Sequence, residues 1–366
     1  MTQASANNEG KVHLGYVYAK DPTGRTAEAM VAGALAFAPL LRRWLGARVD
    51  AIRLSAPFHY ALHHASLLDA DAIEHHLRLC AALVHRARNG HAPDYFGSDC
   101  TDPPRRLSAS ELESLYDPAR VTAAFRTPEI GVDPEDLARE VRARLAAEPA
   151  ITAYFRSRVT HVETVAPRPI VTADHDGAAE SRDYDHVVNA LWAGRLAVDH
   201  TAGVAPPRPW LFRTKRFIRL RGERAGLTPP STTIVLGPFG DVTRYANGDV
   251  YLSWYPAALA GVSDAVTPPV FDGIGRLDWR RATMDALAGI VPALGSITDT
   301  DLARADAGGG VIFAWGQSDI DDPASELHAR SAIGPESFGR YHTINTGKLT
   351  TAPLFARAIA DRVQGR

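Results

Sequence analysis

Apolar residues recur at helical spacing in several segments of the chain. In residues 26–45, Met30, Phe37 and Leu41 fall on one side of a helix, which Pro39 should kink or divide. Asp133 followed by Pro134 is typical of a helix start, since it combines a capping carboxylate with proline in the first turn. The pattern predicts helices over residues 26–45, from 69 onward, 107–116, 134–148, 279–291 and 354–363. Residues 89–106, rich in Gly, Pro, Asp and Arg, predict an exposed loop.

Short apolar runs between turn residues predict strands, and from Pro206 onward they follow one another as in an antiparallel sheet. The predicted strands are 49–54, 151–156, 158–165, 170–173, 184–190, 212–220, 232–236, 242–246, 249–255, 311–315 and 341–345. Asn247-Gly248 indicates a two-residue hairpin turn, which would place Arg244 opposite Tyr251 on one face. Helices and then strands in the first half predict an α/β unit that carries a β-ribbon.

Composition excludes several classes of protein. The chain has 366 residues, a formal net charge of −2 and two cysteines, Cys80 and Cys100. Nearly balanced charge gives no reason to expect nucleic acid as a partner, and two cysteines cannot form a disulfide scaffold or a cysteine-rich metal site. No run of about 18 apolar residues predicts a transmembrane helix, and the first residues lack the pattern of a signal peptide. We therefore expect a cytoplasmic protein.

The segment 346–353, Thr-Gly-Lys-Leu-Thr-Thr-Ala-Pro, precedes the last predicted helix. Thr350 or Thr351 is suited to cap this helix, and Pro353 suits its first turn. Gly347 allows close approach of the backbone to a flat or anionic ligand, which would face the positive end of the helix dipole. An ordinary capped C-terminal helix is the alternative.

This segment resembles the Gly-Lys-Leu-Thr-Thr element of the flavin-dependent oxidoreductases of the D-amino-acid-oxidase type. Residues 4–18 resemble the Asn-x-Gly-x-Ile-His-x-Gly loop of the same superfamily, most closely in its L-2-hydroxyglutarate and glycerol-3-phosphate dehydrogenase branches. The resemblance implies that the C-terminal element lies against the pyrimidine end of FAD. It also implies that Ser5, Asn8 and Gly10 lie near the ribityl-pyrophosphate portion and that His13 lies beside the flavin ring.

Weaker matches follow in the same order through the middle of the chain. Val159 falls in a strand similar to the one whose backbone meets the adenine side, and Ala190 with Gly194 resembles a small-residue turn that passes the cofactor. The resemblance thus implies these cofactor-binding residues: Ser5, Asn8, Gly10, His13, Val159, Ala190, Gly194, Gly347, Lys348, Leu349, Thr350 and Thr351.

One element of the superfamily has no counterpart in the sequence. Its members begin with a strand, a Gly-x-Gly-x-x-Gly turn and a helix that ends at an acidic residue. Gly273-Ile274-Gly275 lacks the third glycine, and Gly308-Gly309-Gly310 precedes no predicted helix. We therefore expect Met1 to be an internal methionine of a longer reading frame. The chain would then be an N-terminally truncated flavoprotein in which FAD binding is weakened or lost.

Candidates for contact with a small-molecule substrate come from the antiparallel sheet and from His13. Arg244 with Tyr251, or Tyr245 on the other face, could hold a carboxylate, and the alternative is a solvated pair on a β-sheet face. His13 could act as a base or as an electrostatic partner of the flavin, or be a structural histidine. Arg340 and His342 are weaker candidates. No metal site is predicted, because the histidines between 59 and 85 lack acidic partners at the spacing of a zinc site.

The sequence and the resemblance together predict an α/β (α+β) fold with an incomplete Rossmann-like FAD-binding domain. The predicted FAD-binding domain comprises 1–48, 120–205 and 338–366, and the substrate domain comprises 49–119 and 206–337. The implied function is oxidation of a small amine, amino acid or 2-hydroxy acid by hydride transfer to flavin N5, with an unidentified electron acceptor. The alternative is a non-catalytic remnant, or a truncated gene product, that binds no FAD.

Overall fold

Six helices of the protein occur where the apolar pattern predicts them, and three short ones, Arg195–Thr201, Tyr255–Ala258 and Asp299–Arg304, were not predicted. The computed structural model describes residues 3–88, 94–165, 167–222, 226–270, 273–320 and 322–365. The α-helices are α1 (Arg25–Leu45), α2 (Ala70–Ala87), α3 (Ala109–Leu115), α4 (Pro134–Ala146), α5 (Arg195–Thr201), α6 (Tyr255–Ala258), α7 (Asp278–Ile290), α8 (Asp299–Arg304) and α9 (Ala352–Val363). Pro39 lies inside α1 without dividing it, and Asp69 and Asp133 cap α2 and α4 with their side chains.

The strands of the described residues form three sheets. They are β1 (His59–His63), β2 (Arg105–Arg106), β3 (Val121–Arg126), β4 (Ser157–Glu163), β5 (Ile170–His175), β6 (Ala178–Asp183), β7 (Val187–Asn189), β8 (Trp210–Leu220), β9 (Thr232–Val235), β10 (Gly240–Arg244), β11 (Val250–Trp254), β12 (Leu259–Ser263), β13 (Asp306–Trp315), β14 (Gly334–Phe338) and β15 (Tyr341–Asn345). The largest sheet has nine strands in the order β12-β8-β11-β10-β9-β1-β3-β2, with β13 along the other edge of β8. Most of its pairs are antiparallel, as the sequence predicts, whereas β1 and β9 run parallel.

Two smaller sheets accompany this large sheet. In one, β15 lies between β14 and β7 and pairs with β7 in parallel, and the other is the antiparallel ribbon β4-β5-β6. Parallel pairing of strands far apart in the chain, with helices packed nearby, agrees with the predicted α/β class.

Helix α1 connects the two ends of the chain. Its apolar side belongs to a core with α2 and the segment Val12–Tyr16, and its other contacts include α9. Gly33 faces the start of α9, where a Cβ atom would lie 2.8 Å from Thr351 Cγ2. The absence of a side chain at Gly33 therefore lets α1 approach the Gly-Lys-Leu-Thr-Thr segment closely.

Two predicted strands are wrong. Residues 49–54 follow α1 in a 3-10 turn, Gly46–Ala51, in which the Ile52 amide donates to Val49 O. Residues 151–156 form no strand and leave Phe155 78% exposed. Within these two runs only Leu54 takes part in a β-bridge, with Val132, and no ladder extends along either run. Apolar composition alone does not make a strand, because a strand needs a partner that pairs with its backbone along its length. Part of the predicted loop 89–106, residues 89–93, lies outside the described residues.

The predicted pairing of Arg244 with Tyr251 is also wrong. Thr243 pairs with Tyr251, and Arg244 pairs with Val250. The Tyr245 amide donates to Asp249 O, and the Gly248 amide donates to Tyr245 O with φ of +80° at Gly248, so the loop has three residues rather than two. A shift of one residue moves a side chain to the opposite face of a sheet. Arg244 therefore lies on the other face, where its Nε donates to Pro229 O.

Candidate functional site

A cavity of about 450 Å³ lies between both ends of the chain and one face of the large sheet. It is bounded by the N-terminal loop, by the turn after β15 and by residues of β8, β10, β11 and β13. Ser5, Asn8, His13, Ala190, Tyr251, Gly347, Lys348 and Leu349 are the predicted site residues that line it. Three segments that are distant in sequence thus meet at one cavity of a size typical for a small-molecule or cofactor site.

The C-terminal wall is the segment before α9. Gly347 adopts φ of +64°, and a Cβ atom there would lie 2.8 Å from Ile333 Cγ2, so glycine is required for this turn. The prediction that Thr350 or Thr351 caps the helix is wrong, because neither side chain makes a capping hydrogen bond. A 3-10 turn, Leu349–Thr351, precedes α9, and the Thr351 hydroxyl bonds back to the carbonyl oxygens of Thr346 and Lys348. These threonines therefore shape the turn and do not cap the helix.

The N-terminal wall is a loop that its own side chains hold in place. Asn8 donates from Nδ2 to Ala4 O and accepts from the Gly10 amide at 2.7 Å. Gly10 has φ of +68°, and a Cβ there would lie 1.8 Å from Val132 O. Gly310 of β13 allows the loop to lie against the sheet, since its Cβ position is 3.1 Å from Asn7 O. Gly308, whose Cβ position lies 2.7 Å from the Phe217 ring, and Gly310 thus have a packing role.

The Thr350 hydroxyl joins the two ends of the chain. It accepts from the His13 amide at 2.9 Å and donates to Lys11 O at 3.2 Å. Gly10 and Thr350 do not line the cavity but position residues that do.

His13 is buried beside two carboxylates. Its Nδ1 lies 3.7 Å from Glu129 Oε1, its Nε2 lies 3.9 Å from Glu9 Oε1, and Nδ1 has no hydrogen-bond partner in the described residues. Burial, aided by the charges of Lys348 and Lys11, lowers the pKa of His13 well below its ordinary value. The imidazole is therefore neutral at neutral pH, with a ring nitrogen free to accept or donate a proton.

Glu129 lies directly behind His13 and is fully buried. Its Oε2 accepts from the Leu14 amide at 2.6 Å, and its Oε1 accepts from the Tyr60 hydroxyl at 2.5 Å. Burial raises the pKa of Glu129 to about 7, although the charge of Lys11 lowers it. Glu129 is thus a carboxyl group that titrates near neutral pH within 4 Å of the predicted base.

A buried ion pair forms the floor of the cavity. Lys11 Nζ donates to Asp241 Oδ1 at 2.8 Å and also bonds Thr233 Oγ1, while Lys215 Nζ lies 3.4 Å from Asp241 Oδ2. The Asp241 pKa is lowered despite burial, because both ammonium groups stabilise its charged form. Asp241 therefore neutralises part of the charge of these two lysines.

The ammonium group of Lys348 has no hydrogen bond or ion pair with any part of the chain that the structure describes. Burial lowers the pKa of its ammonium group to about 8, with Glu9 opposing the effect and Arg330 and Lys11 adding to it. Most molecules still carry the charged form at neutral pH. An unpaired, desolvated ammonium group beside a helix start is a suitable partner for an anionic ligand.

Two arginines that the sequence analysis did not single out also line the cavity. Arg213 of β8 is 1% exposed, and its Nε and Nη2 have no hydrogen-bond partner in the described residues. Arg330 is 9% exposed, and its Nη1 likewise has none. Arg213 is one of four cationic residues in β8, so the sequence of this strand gave no signal that singled it out.

Three predicted site residues lie away from this cavity. Val159 of β4 packs against an apolar cluster that includes Val162, Gly194 lies at the start of α5, and Arg244 points to the opposite face of the sheet. In the described parts of the chain, no three His, Cys, Asp or Glu side chains are grouped as metal ligands. No helix there has the length and apolar character needed to cross a membrane.

No family model and no curated protein matches the chain, but solved structures do. Glycine oxidase from Geobacillus kaustophilus has 16% identity and a TM-score of 0.68, over 100% of this chain and 85% of that one. L-α-glycerophosphate oxidase from Mycoplasma pneumoniae, solved with FAD bound, has 13% identity and a TM-score of 0.64. The match covers 99% of this chain and 85% of that one. Iminodiacetate oxidase from Chelativorans sp. BNC1 has 14% identity and a TM-score of 0.65, and the match covers 100% of this chain and 86% of that one. The chain therefore has the fold of the flavin-dependent oxidoreductases of the D-amino-acid-oxidase type.

Proposed function

We propose that the protein is an FAD-dependent oxidoreductase that oxidises a small amine, amino acid or 2-hydroxy acid by hydride transfer to flavin N5. The observation that carries the proposal is the meeting of the N-terminal loop, the turn at Gly347–Lys348 and the large sheet around one cavity. The solved structures of the same fold include an oxidase with FAD bound, which supports the choice of cofactor.

The residues around the cavity fit the ring end of a flavin. Bound FAD supplies a ring that accepts a hydride at N5. Lys348 would stabilise negative charge on the pyrimidine edge of the ring, together with the positive end of α9. His13 would hold or accept a substrate proton, because its neutral ring has an unpartnered nitrogen. The hydroxyl of Tyr251 and the guanidinium groups of Arg213 and Arg330 would bind a substrate carboxylate.

The distribution of lysine supports a functional role for this cavity. Four of the 40 lysine and arginine residues in the sequence are lysines, namely Lys11, Lys20, Lys215 and Lys348, and all four line the cavity. Lysine offers a compact and titratable amine that arginine does not. The chain thus uses lysine only at the site where a cofactor would bind.

The proposal is tested by adding FAD to the purified chain, removing free flavin and recording flavin absorbance. An amine-reactive reagent gives a second readout, since the cavity holds every lysine of the chain. We expect FAD to bind and to protect the lysines from labelling. Lys348→Met should lower the reduction potential of bound flavin, whereas Arg357→Met, in the following helix α9 and paired with Asp361, should not. Absence of both flavin bands and protection would refute the proposal.

The second candidate is a protein of this fold that binds no FAD. It is favoured by one observation, the lack of a Gly-x-Gly-x-x-Gly turn in the sequence. Under this alternative, FAD neither binds nor protects the lysines, while the chain unfolds cooperatively. The same experiment therefore separates the two functions.

A further inference from the structure

The buried carboxyl group of Glu129 has a restricted place for a proton. Both of its oxygens already accept hydrogen bonds, Oε2 from the Leu14 amide and Oε1 from the Tyr60 hydroxyl. A carboxyl group that gains a proton becomes a donor, and a buried donor needs an acceptor. If the new proton pointed at Tyr60, the phenol hydrogen would lose its acceptor within the described residues. His13 Nδ1, 3.7 Å from Oε1, is an acceptor that is still free.

His13 Nδ1 has the complementary requirement. It is buried, and it has no hydrogen-bond partner in the part of the chain that the structure describes. A rotation of the imidazole that moves Nδ1 by about 0.8 Å brings it within hydrogen-bond distance of Glu129 Oε1. Two groups that each lack a partner for one protonation state therefore face each other.

The other ring nitrogen of His13 lies on the side of the cavity. His13 lines the cavity, and its Nε2 lies 3.9 Å from Oε1 of Glu9, a carboxylate that also lines it. The imidazole thus separates the cavity from Glu129, with one nitrogen on each side. A neutral imidazole carries its proton on one nitrogen and accepts at the other, so a change of tautomer passes a proton across the ring.

From this arrangement we propose that Glu129 is the proton store of the cavity and that His13 delivers the proton to it. In the resting pair, Nδ1–H faces the Glu129 carboxylate and Nε2 carries a lone pair. A ligand hydroxyl or amine gives its proton to Nε2, the Nδ1 proton moves to Glu129 Oε1, and the ring stays neutral. The ligand gains one negative charge, and the carboxylate loses one.

This inference rests on the proposed function, because a substrate that loses a hydride to flavin N5 must also lose the proton of its O–H or N–H group. Glu129 does not line the cavity, so it is a positioning residue that acts through His13. It completes the proton path that His13 begins.

The surrounding groups set the pH range in which the shared proton can be observed. Burial raises the pKa of Glu129 to about 7, so the pair takes up its proton near neutral pH. The pKa of Lys348 is about 8, and measurements therefore stay below about pH 8. Lys11, Asp241 and Arg330 keep their charges throughout this range. Burial raises the pKa of the neighbouring phenols and thiol and keeps them protonated, namely Tyr16, Tyr18, Tyr60, Tyr95 and Cys80.

The test is NMR of the ring nitrogens in the full chain with isotope-labelled histidine, first without FAD and then with it. The chemical shift of each nitrogen reports whether it carries a proton, and loss of signals in His13→Asn identifies those of His13. Between about pH 5.5 and 8 we expect His13 to change from Nε2–H to Nδ1–H, with a midpoint near the Glu129 pKa of about 7.

Three variants separate a shared proton from a merely structural contact. Glu129→Gln can keep both hydrogen bonds of the carboxyl group and should hold His13 in one tautomer over the whole range. Tyr60→Phe removes a hydrogen bond that stabilises the ionised carboxylate, and should raise the midpoint by about one pH unit. Glu9→Gln is the matched control, since Glu9 lies at a similar distance from the other ring nitrogen and the change of tautomer should persist without it.

A fixed tautomer in the parent, protonation of both ring nitrogens at low pH, or a change that persists in Glu129→Gln would overturn the inference. Loss of the change in Glu9→Gln would also overturn it, because the proton would then pass to Glu9. A change of tautomer in a chain that binds no FAD would support the shared proton and refute the flavoenzyme. FAD binding with a fixed tautomer would refute the proton store alone.

Discussion

Replacing Glu129 with glutamine should remove a pH dependence from the stability of the protein. Glu129 is fully buried, and it accepts hydrogen bonds from the Leu14 amide and the Tyr60 hydroxyl. The amide of Glu129→Gln can accept from Leu14 through its oxygen and donate to the Tyr60 oxygen through its nitrogen. The substitution therefore preserves shape and hydrogen bonding while it eliminates the ionisable proton.

The magnitude follows from the pKa of Glu129, which burial raises from an ordinary value of 4.5 to about 7 in the folded protein. Between these values the folded protein binds more protons than the unfolded chain, so stability falls as pH rises. The contribution is fully present below about pH 4.5 and is lost as pH passes 7. At about 1.4 kcal/mol for each pKa unit, we expect Glu129→Gln to gain about 3 kcal/mol relative to the parent between pH 4.5 and 8.

The assay is urea unfolding of the parent and the variant at several pH values across this range. The quantity of interest is the difference between their free energies of unfolding, because contributions of other titrating groups cancel in it. Glu140→Gln serves as a matched control: Glu140 is also buried, but its carboxylate pairs with Arg48 and Arg139. This control should keep the parental pH dependence.

A constant difference between Glu129→Gln and the parent over the whole pH range would refute the reasoning. It would mean that Glu129 stays ionised when buried, with the charge of Lys11 outweighing the cost of desolvation. If the free energy of unfolding of Glu129→Gln instead rose relative to the parent towards low pH, Glu129 would likewise be ionised in the folded protein.

Three further substitutions test how the cavity walls are held. Gly10→Ala places a Cβ 1.8 Å from a backbone oxygen and should cost at least about 2 kcal/mol in urea unfolding, whereas Gly46→Ala, at a similar positive φ with open space around it, should cost only about 1 kcal/mol. Lys11→Met leaves Asp241 with only its longer contact to Lys215, and should destabilise the protein by about 3–5 kcal/mol in thermal unfolding. Adding Asp241→Asn to the same chain should restore part of this lost stability, because it removes the poorly paired charge. Thr350→Val removes the hydroxyl that joins the N-terminal loop to the C-terminal turn, and should cost about 1–3 kcal/mol and speed amide exchange in the N-terminal loop.

The sequence predicted much of the secondary structure and the two segments that form the cavity walls. Helices α1, α2, α4, α7 and α9 follow from apolar spacing, capping residues and proline positions, which act over a few residues and can be recognised locally. The strand predictions failed at 49–54 and 151–156, where apolar composition was present but no ladder with a partner strand formed.

The hairpin shows how a small local error changes a site. Asn247-Gly248 correctly indicated a turn, but the turn has one residue more than predicted. Arg244 consequently lies on the face away from the cavity, while Tyr251 remains in its wall. Loop length was decided by the pairing of Tyr245 with Asp249, which the turn motif alone does not specify.

By itself the sequence determined the order of the elements, the glycine turns and the resemblance of both chain ends to one superfamily. The tertiary structure decided which charges are buried and which face one another. Lys11 meets Asp241 across 230 residues of sequence, and Arg213 and Arg330 acquire their unsatisfied donors only when the sheet and the C-terminal part of the chain come together. The cost of burying a charge depends on the solvent and partners around it in three dimensions, and these are properties of the packed chain rather than of any short segment.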